Sequence, residues 1–171
     1  VRYYLNGMLF EVGKDYLRLV STDGHRLAME TLALNSALSE TQQQILPRKG
    51  VVELSRLLSE EGGEITLTFG QNHIRAEMPE FTFTSKLVDG KFPDYNRVLP
   101  KGGDKTVIGD CQQLRQAFAR ASILSNEKYR GVRVMLAEGE MKILANNPDQ
   151  EEAEVVVAVE YGGEPIEMGF N

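Results

Sequence analysis

Three short marks occur twice in this chain at one offset, and they constrain its fold more than any other feature. Gly7-Met8-Leu9-Phe10, then Leu17 and Leu19, then the turn at Thr22-Asp23 recur as Gly131-Val132-Arg133-Val134, Met141 and Ile143, and Asn146-Asn147, always 124 residues later. A supersecondary unit used twice explains a constant offset at low identity. Around the marks, apolar and polar residues alternate with a period of two, the pattern of half-buried strands. The expected class is α+β, with repeated units of antiparallel sheet and one helix per sheet segment. On this reading the first unit lacks its opening strand and helix, and the second lacks its closing half. Both ends are then expected to fall inside domains of a longer chain. Val1-Arg2-Tyr3-Tyr4 agrees, having neither an initiator Met nor a signal-peptide layout.

Strands are expected over 4–12, 16–21 and 25–34, divided by turns at Gly13-Lys14-Asp15 and Thr22-Asp23-Gly24. Residues 35–44 are polar and read as a loop. Pro47 precedes a helix over 49–59, whose apolar stripe is Val51, Leu54, Leu57 and Leu58, with Lys49 and Arg56 opposite and a stop at Gly62-Gly63. Three alternating strands follow, carrying Ile65, Leu67 and Phe69, then Ile74, Ala76 and Met78, then Phe81, Phe83 and Leu87. The Gly- and Pro-containing stretch 89–104 reads as a linker. A short strand over 105–109 leads into a helix over 111–124. Leu114, Ala117, Phe118 and Ala121 form its stripe, and Gln112, Arg115, Gln116 and Arg120 lie away from it. Strands over 132–137, 140–145, 154–160 and 165–170 complete the reading.

Composition narrows the function classes. Apolar content of 42% and charged content of 26% are those of an ordinary globular protein, and no apolar run is long enough for a membrane span. Cys111 is the single cysteine, so no internal disulfide can form and a reducing cytoplasm is the default compartment. The net charge of −6 argues against binding nucleic acid with the whole surface. The charge is uneven, however. Asp149, Glu151, Glu152, Glu154, Glu160, Glu164 and Glu167 follow one another with no base between, whereas 111–126 carries Arg115 and Arg120 and no acid. Bases sharing one face would give an acidic protein one basic surface; scattered, solvated charge is the alternative.

The inventory of an enzyme is thin. There is no phosphate loop and no dinucleotide fingerprint. The two histidines, His25 and His73, do not make a metal set, and Glu60-Glu61 and Glu151-Glu152 read as solvated charge in turns. Asp23-Gly24-His25 leaves open a hydrolase, and the repeat leaves open an interaction protein without a DNA role. Binding is the stronger class, with no catalytic residue, metal or cofactor expected. Two features bear on it. Tyr3-Tyr4 beside Arg2 either reaches out together to stack on a base or places one ring in the core and one outside. Thr22-Asp23-Gly24-His25-Arg26-Leu27 makes either a small apolar pocket rimmed by donors or an ordinary hairpin turn.

Several ordered segments carry a resemblance. Arg2-Tyr3-Tyr4-Leu5-Asn6-Gly7, Thr22-Asp23-Gly24-His25-Arg26-Leu27, Pro47-Arg48-Lys49-Gly50, Phe83-Thr84-Ser85-Lys86-Leu87-Val88-Asp89-Gly90-Lys91-Phe92-Pro93-Asp94-Tyr95 and Ile123-Leu124-Ser125-Asn126-Glu127-Lys128 resemble the bacterial DNA polymerase III beta subunit, over essentially the whole sequence. The resemblance implies the DNA clamp fold of a head-to-tail dimeric ring, helices lining the hole and sheets outside. It implies a middle domain over 1–103 and a C-terminal domain over 104–171, each incomplete. It also implies a bacterial cytoplasmic, nucleoid-associated processivity factor that does no chemistry, encircles double-stranded DNA without reading its sequence, and docks polymerases, the clamp loader and repair proteins.

Site residues follow from the same resemblance. A Gln- and Leu/Phe-containing partner peptide would meet Arg2, Leu5, Thr22, Gly24, His25, Arg26, Leu27, Pro93, Arg97 and Val98, with part of the pocket supplied by segments beyond this sequence. Tyr3 and Tyr4 match a loop that touches DNA. Lys49, Arg56, Arg115 and Arg120 are DNA candidates from helix geometry, their phosphate contacts being sequence-independent. Ile123 and Leu124 match the dimer seam, although core packing suits them too. This chain alone is not expected to close the ring.

Overall fold

The computed structural model describes residues 2–36, 38–58 and 63–171. The chain divides into two compact units, Val1–Val98 and Leu99–Asn171.

The first unit is built on strands β1 (Gly7–Val12), β2 (Tyr16–Thr22), β3 (Leu27–Ala33) and β4 (Gln42–Pro47), which form an antiparallel sheet in the order β3-β2-β1-β4. Helix α1 (Arg48–Leu57) follows directly, and β5 (Thr66–Phe69), β6 (His73–Met78) and β7 (Phe81–Lys86) make a second, three-stranded sheet. Because side chains alternate across a strand, one face of the larger sheet presents Phe10, Val12, Leu17 and Leu46. These pack with Leu54 of α1 and with Ile74 and Ala76 of β6 into one core. Gly50 is buried in α1, where a Cβ would stand 2.9 Å from Leu46 Cδ1 and 3.0 Å from Ser85 Oγ, so its bare backbone lets the helix sit close on β4 and β7.

The second unit repeats the plan. Strands β8 (Val132–Ala137), β9 (Glu140–Asn146), β10 (Glu152–Ala158) and β11 (Ile166–Phe170) form a sheet in the order β10-β9-β8-β11. Phe10 pairs with Leu19 and Met8 with Leu46 in the first unit; Val134 pairs with Ile143 and Val132 with Phe170 in the second. Each pair is its counterpart shifted by the repeat offset, so the repeat extends to the pairing register. Helix α2 (Cys111–Ser122) is capped by Asp110, whose Oδ1 accepts the Gln113 N–H at 2.8 Å. It packs Ala117 and Ala121, both fully buried, against Val134, Ile143 and Val157.

Several expectations need correction. Residues 42–44 are strand, not loop: β4 pairs along β1, and its polar side chains are occupied, Gln43 by Glu11 and Gln44 Nε2 by the Gly70 carbonyl at 2.9 Å. Tyr4 belongs to a single 3₁₀ turn, Tyr3–Leu5, ahead of β1 rather than to the strand. β3 starts at Leu27, because His25 and Arg26 are taken up in the preceding turn. Leu57 and Leu58 are exposed, so the buried stripe of α1 centres on Gly50 and Leu54. The 89–104 stretch is not wholly linker: Phe92 and Tyr95 are buried in the first unit, the latter in a 3₁₀ turn, Tyr95–Arg97. The 105–109 strand reduces to one bridge, Ile108 with Glu160. Ser59, the Glu60-Glu61 pair and the Gly62 stop lie outside the described residues.

Candidate functional site

The β2–β3 turn is held by its own polar groups. Asp23 Oδ1 accepts the backbone N–H of His25 at 2.9 Å and of Arg26 at 3.0 Å, while Oδ2 pairs with Arg26 Nε at 3.1 Å. Thr22 Oγ1 donates to the Arg26 carbonyl at 2.7 Å and accepts the Gly24 N–H at 3.1 Å. Gly24 adopts φ of 92°, a left-handed conformation that side chains rarely take. The backbone N–H groups of His25 and Arg26, and then the Arg26 guanidinium, hold the Asp23 carboxyl down at about 2. A carboxylate so stabilised is a poor proton acceptor at neutral pH. Asp23 meets His25 through the backbone and not through the imidazole, which removes the geometry a hydrolase would need.

The turn separates two depressions. One, of about 600 Å³, is lined by Arg2, Leu5, Asn6, Asp23, Gly24 and His25. The other, of about 320 Å³ and more apolar, is lined by Ser21, Thr22, Asp23, Arg26, Leu27 and Ala28. The structure thus gathers Arg2, Leu5, Thr22, Gly24, His25, Arg26 and Leu27 around one hairpin. Pro93, Arg97 and Val98 line neither depression. They lie on the segment that carries Tyr95, with Arg97 paired to Asp94 at 3.0 Å and Val98 67% exposed. Asn6 and Asp23 also line the site; neither was among the expected peptide contacts, although Asp23 stood in the hairpin read as either a pocket or an ordinary turn and in the hydrolase alternative.

A polar cluster beneath the segment also went unnoticed. Glu11, at 6% exposure, accepts from Tyr95 Oη at 2.8 Å, from Tyr16 Oη at 3.0 Å and from Gln43 Nε2, with Arg18 Nη1 at 3.6 Å. Burial pushes the Glu11 carboxyl up, but the donors Gln43, Tyr95 and Tyr16 and the Arg18 charge outweigh it, and the group stays below its ordinary value. The available signal was an acid inside the apolar run Met8-Leu9-Phe10-Glu11-Val12.

The DNA candidates stand as follows. Tyr3 and Tyr4 meet edge to face, ring centroids 5.7 Å apart, with Tyr3 exposed and Tyr4 half-buried. Lys49 is exposed on α1, and Arg56 beside it is paired with Glu53 at 3.2 Å. Arg115 and Arg120 are exposed on α2 and make no ion pair among the described residues. Ile123, just past α2, is 76% exposed, so it does not pack in the core; Leu124 is half-buried. The described residues bring no three potential metal ligands together.

Residues 1–94 match the DNA polymerase III beta subunit, central domain, and residues 96–171 the DNA polymerase III beta subunit, C-terminal domain. The chain belongs to the DNA polymerase III beta subunit family. Within it, the chain is 64% identical to the beta sliding clamp of Pseudomonas aeruginosa over 171 residues and 55% identical to that of Escherichia coli K12, covering all of this chain and 47% and 46% of those proteins. It therefore spans about half the length of these curated relatives. A crystal structure of the DNA polymerase sliding clamp from P. aeruginosa superposes with a TM-score of 0.94 at 64% identity, over all of this chain and 47% of that one. A sliding clamp from Bartonella birtlesii bound to griselimycin gives 0.88 at 44% identity, over 99% of this chain and 47% of that one. Beta subunit membership accords with the α+β class and with the repeated antiparallel sheets.

Proposed function

We propose that the protein serves as part of a DNA sliding clamp, a non-catalytic bacterial cytoplasmic processivity factor that works on double-stranded DNA and docks polymerases, the clamp loader and repair proteins. The 64% identity to a beta sliding clamp along the whole chain carries this reading. The hairpin geometry supports a docking role. Leu5 and Leu27 offer apolar surface on either side of the Asp23 turn, and Arg2, His25 and Arg26 supply a polar rim. The rigid turn holds these groups before a partner arrives, which lowers the ordering cost of binding. A Gln- and Leu/Phe-containing peptide is the proposed ligand, with Pro93, Arg97 and Val98 extending its contact surface.

Tyr3, Tyr4, Lys49, Arg56, Arg115 and Arg120 are the proposed DNA contacts, and Ile123 and Leu124 the proposed dimer seam of a closed ring. Lys49, Arg115 and Arg120 make no ion pair among the described residues, whereas Arg56 is paired with Glu53. A titration of labelled peptide against the protein, with and without Leu27→Ala, tests the docking role. Saturable binding that Leu27→Ala weakens about tenfold or more, as expected for losing a buried apolar anchor, is the expected result. Binding indifferent to the substitution overturns the assignment of the pocket.

A further inference from the structure

Glu11 is a buried carboxylate to which neither peptide docking nor DNA contact gives any part. Its surroundings converge on one hydroxyl. Tyr95 Oη donates to Glu11 at 2.8 Å and accepts from Arg18 Nη1 at 2.9 Å, and Arg18 Nε in turn donates to Thr31 Oγ1 at 3.0 Å. Tyr16 and Gln43 complete the shell of the carboxylate. Groups from β1, β2, β3 and β4 thus hold a single residue of the 3₁₀ turn. That residue is 2% exposed, whereas Arg97 and Val98 immediately after it face solvent.

The turn cannot hold itself in place. Its own bonds are two backbone bonds, Arg97 N–H to the Asp94 carbonyl at 3.2 Å and Val98 N–H to the Tyr95 carbonyl at 3.1 Å, and the exposed Arg97–Asp94 ion pair, and a single helical turn is not stable alone. The Arg18 guanidinium also lies 5.0 Å from the Tyr16 ring centroid and 6.0 Å from that of Tyr95, which fixes where the phenol can sit.

We infer that Glu11, Arg18 and Tyr95 are positioning residues for the docking site: they latch the Asp94–Val98 turn to the sheet and so set where Arg97 and Val98 meet a partner peptide. This rests on the docking role proposed above. The latch acts through geometry and touches no peptide itself. A network in which every buried polar group is satisfied favours one arrangement of its members, so removing the shared hydroxyl loosens the turn while leaving the ring's packing.

The test compares the unaltered protein with Tyr95→Phe, Glu11→Gln and, as a pocket control, Leu27→Ala. Each is titrated with a labelled Gln- and Leu/Phe-containing peptide, and amide hydrogen exchange is followed at Arg97 and Val98 and along β1 and β2. Loss of one hydroxyl is expected to weaken the peptide about 3- to 10-fold and to speed exchange at Val98 by a similar factor, with β1 and β2 unchanged. If Leu27→Ala weakens binding while Tyr95→Phe alters neither affinity nor Val98 exchange, the latch is overturned and the site stands. If exchange rises throughout the first unit, the network is only structural and the latch is overturned. If Leu27→Ala changes nothing, the docking reading fails, and exchange at Val98 alone decides whether the latch holds the turn.

Discussion

Asp23 and Asn147, one repeat apart, each accept two backbone N–H groups of their own turn through a side-chain oxygen. Asp23 Oδ1 accepts the N–H groups of His25 and Arg26, and Asn147 Oδ1 accepts those of Asp149 and Glu151 at 3.1 Å each. An amide oxygen can thus accept paired backbone N–H groups in a turn of this fold, although the Asn147 turn is one residue longer. Asp23→Asn is expected to keep the hairpin and its exchange protection while losing the Arg26 ion pair; Asp23→Ala is expected to lose both. The pH dependence has a definite sign. The folded pKa of Asp23, about 2, lies below its ordinary 3.8, so the stabilisation from its charge is fully present above the ordinary value and is lost as pH falls through about 2. Carbon-detected NMR titration of the Asp23 carboxyl checks the midpoint. A midpoint near the ordinary value would mean that the turn bonds do not persist in solution.

Glu11→Ala is expected to cost about 3 kcal/mol, the range for removing one partner of a buried ion pair. It leaves two tyrosine hydroxyls and an amide without their shared acceptor and the Arg18 guanidinium without its counter-charge. Because the folded pKa of Glu11 is depressed, its contribution is present above its ordinary value of 4.5 and is lost as pH falls through the folded value. Thermal melts from pH 7 downward should show the variant losing less stability with acid than the unaltered protein does. Parallel curves would remove the carboxylate from this account.

The strands were legible because half-buried sheet writes itself as alternation, and the repeat was legible because register ties β1 to β2 and β8 to β9 in the same way. The failures share a cause. Gln42-Gln43-Gln44 read as loop because the partners that satisfy Gln43 and Gln44, Glu11 and the Gly70 carbonyl, are distant in sequence. Phe92 and Tyr95 sat in a Gly- and Pro-containing stretch whose local composition says nothing of the cover they provide. At the β2–β3 hairpin, the proposed contact residues came from the resemblance; the residues alone offered either a small apolar pocket or an ordinary turn. The bonds of Asp23 to the backbone, which make that turn rigid, follow no periodic pattern.

Ile123→Ala is expected to leave thermal stability within about 0.5 kcal/mol, since the side chain is 76% exposed. If the seam assignment holds, the same change weakens self-association in sedimentation. A large loss of stability without a change in association would point to packing instead.

Replacing Arg115 or Arg120 with Ala is expected to lower the slope of log affinity against log salt for duplex DNA by about one per residue. Affinity should fall alike on unrelated sequences, because phosphate contacts carry no base information. Fluorescence anisotropy across a salt series checks both. An unchanged slope would take these arginines out of the DNA surface.

The bond between Tyr95 and Glu11 spans 84 residues of chain, and that distance orders events in time. Hairpins β1–β2 and β2–β3 need only neighbouring sequence, and β4 must then return across a longer loop to reach β1. Tyr95 can dock only after all of these have formed, since its acceptor shell is assembled from them. Arg97 and Val98 follow Tyr95 directly, and their placement draws on groups from sequence as far back as Glu11. A first unit that lacks any one of these strands lacks part of the shell that fixes Tyr95, so the position of Arg97 and Val98 depends on the whole sheet.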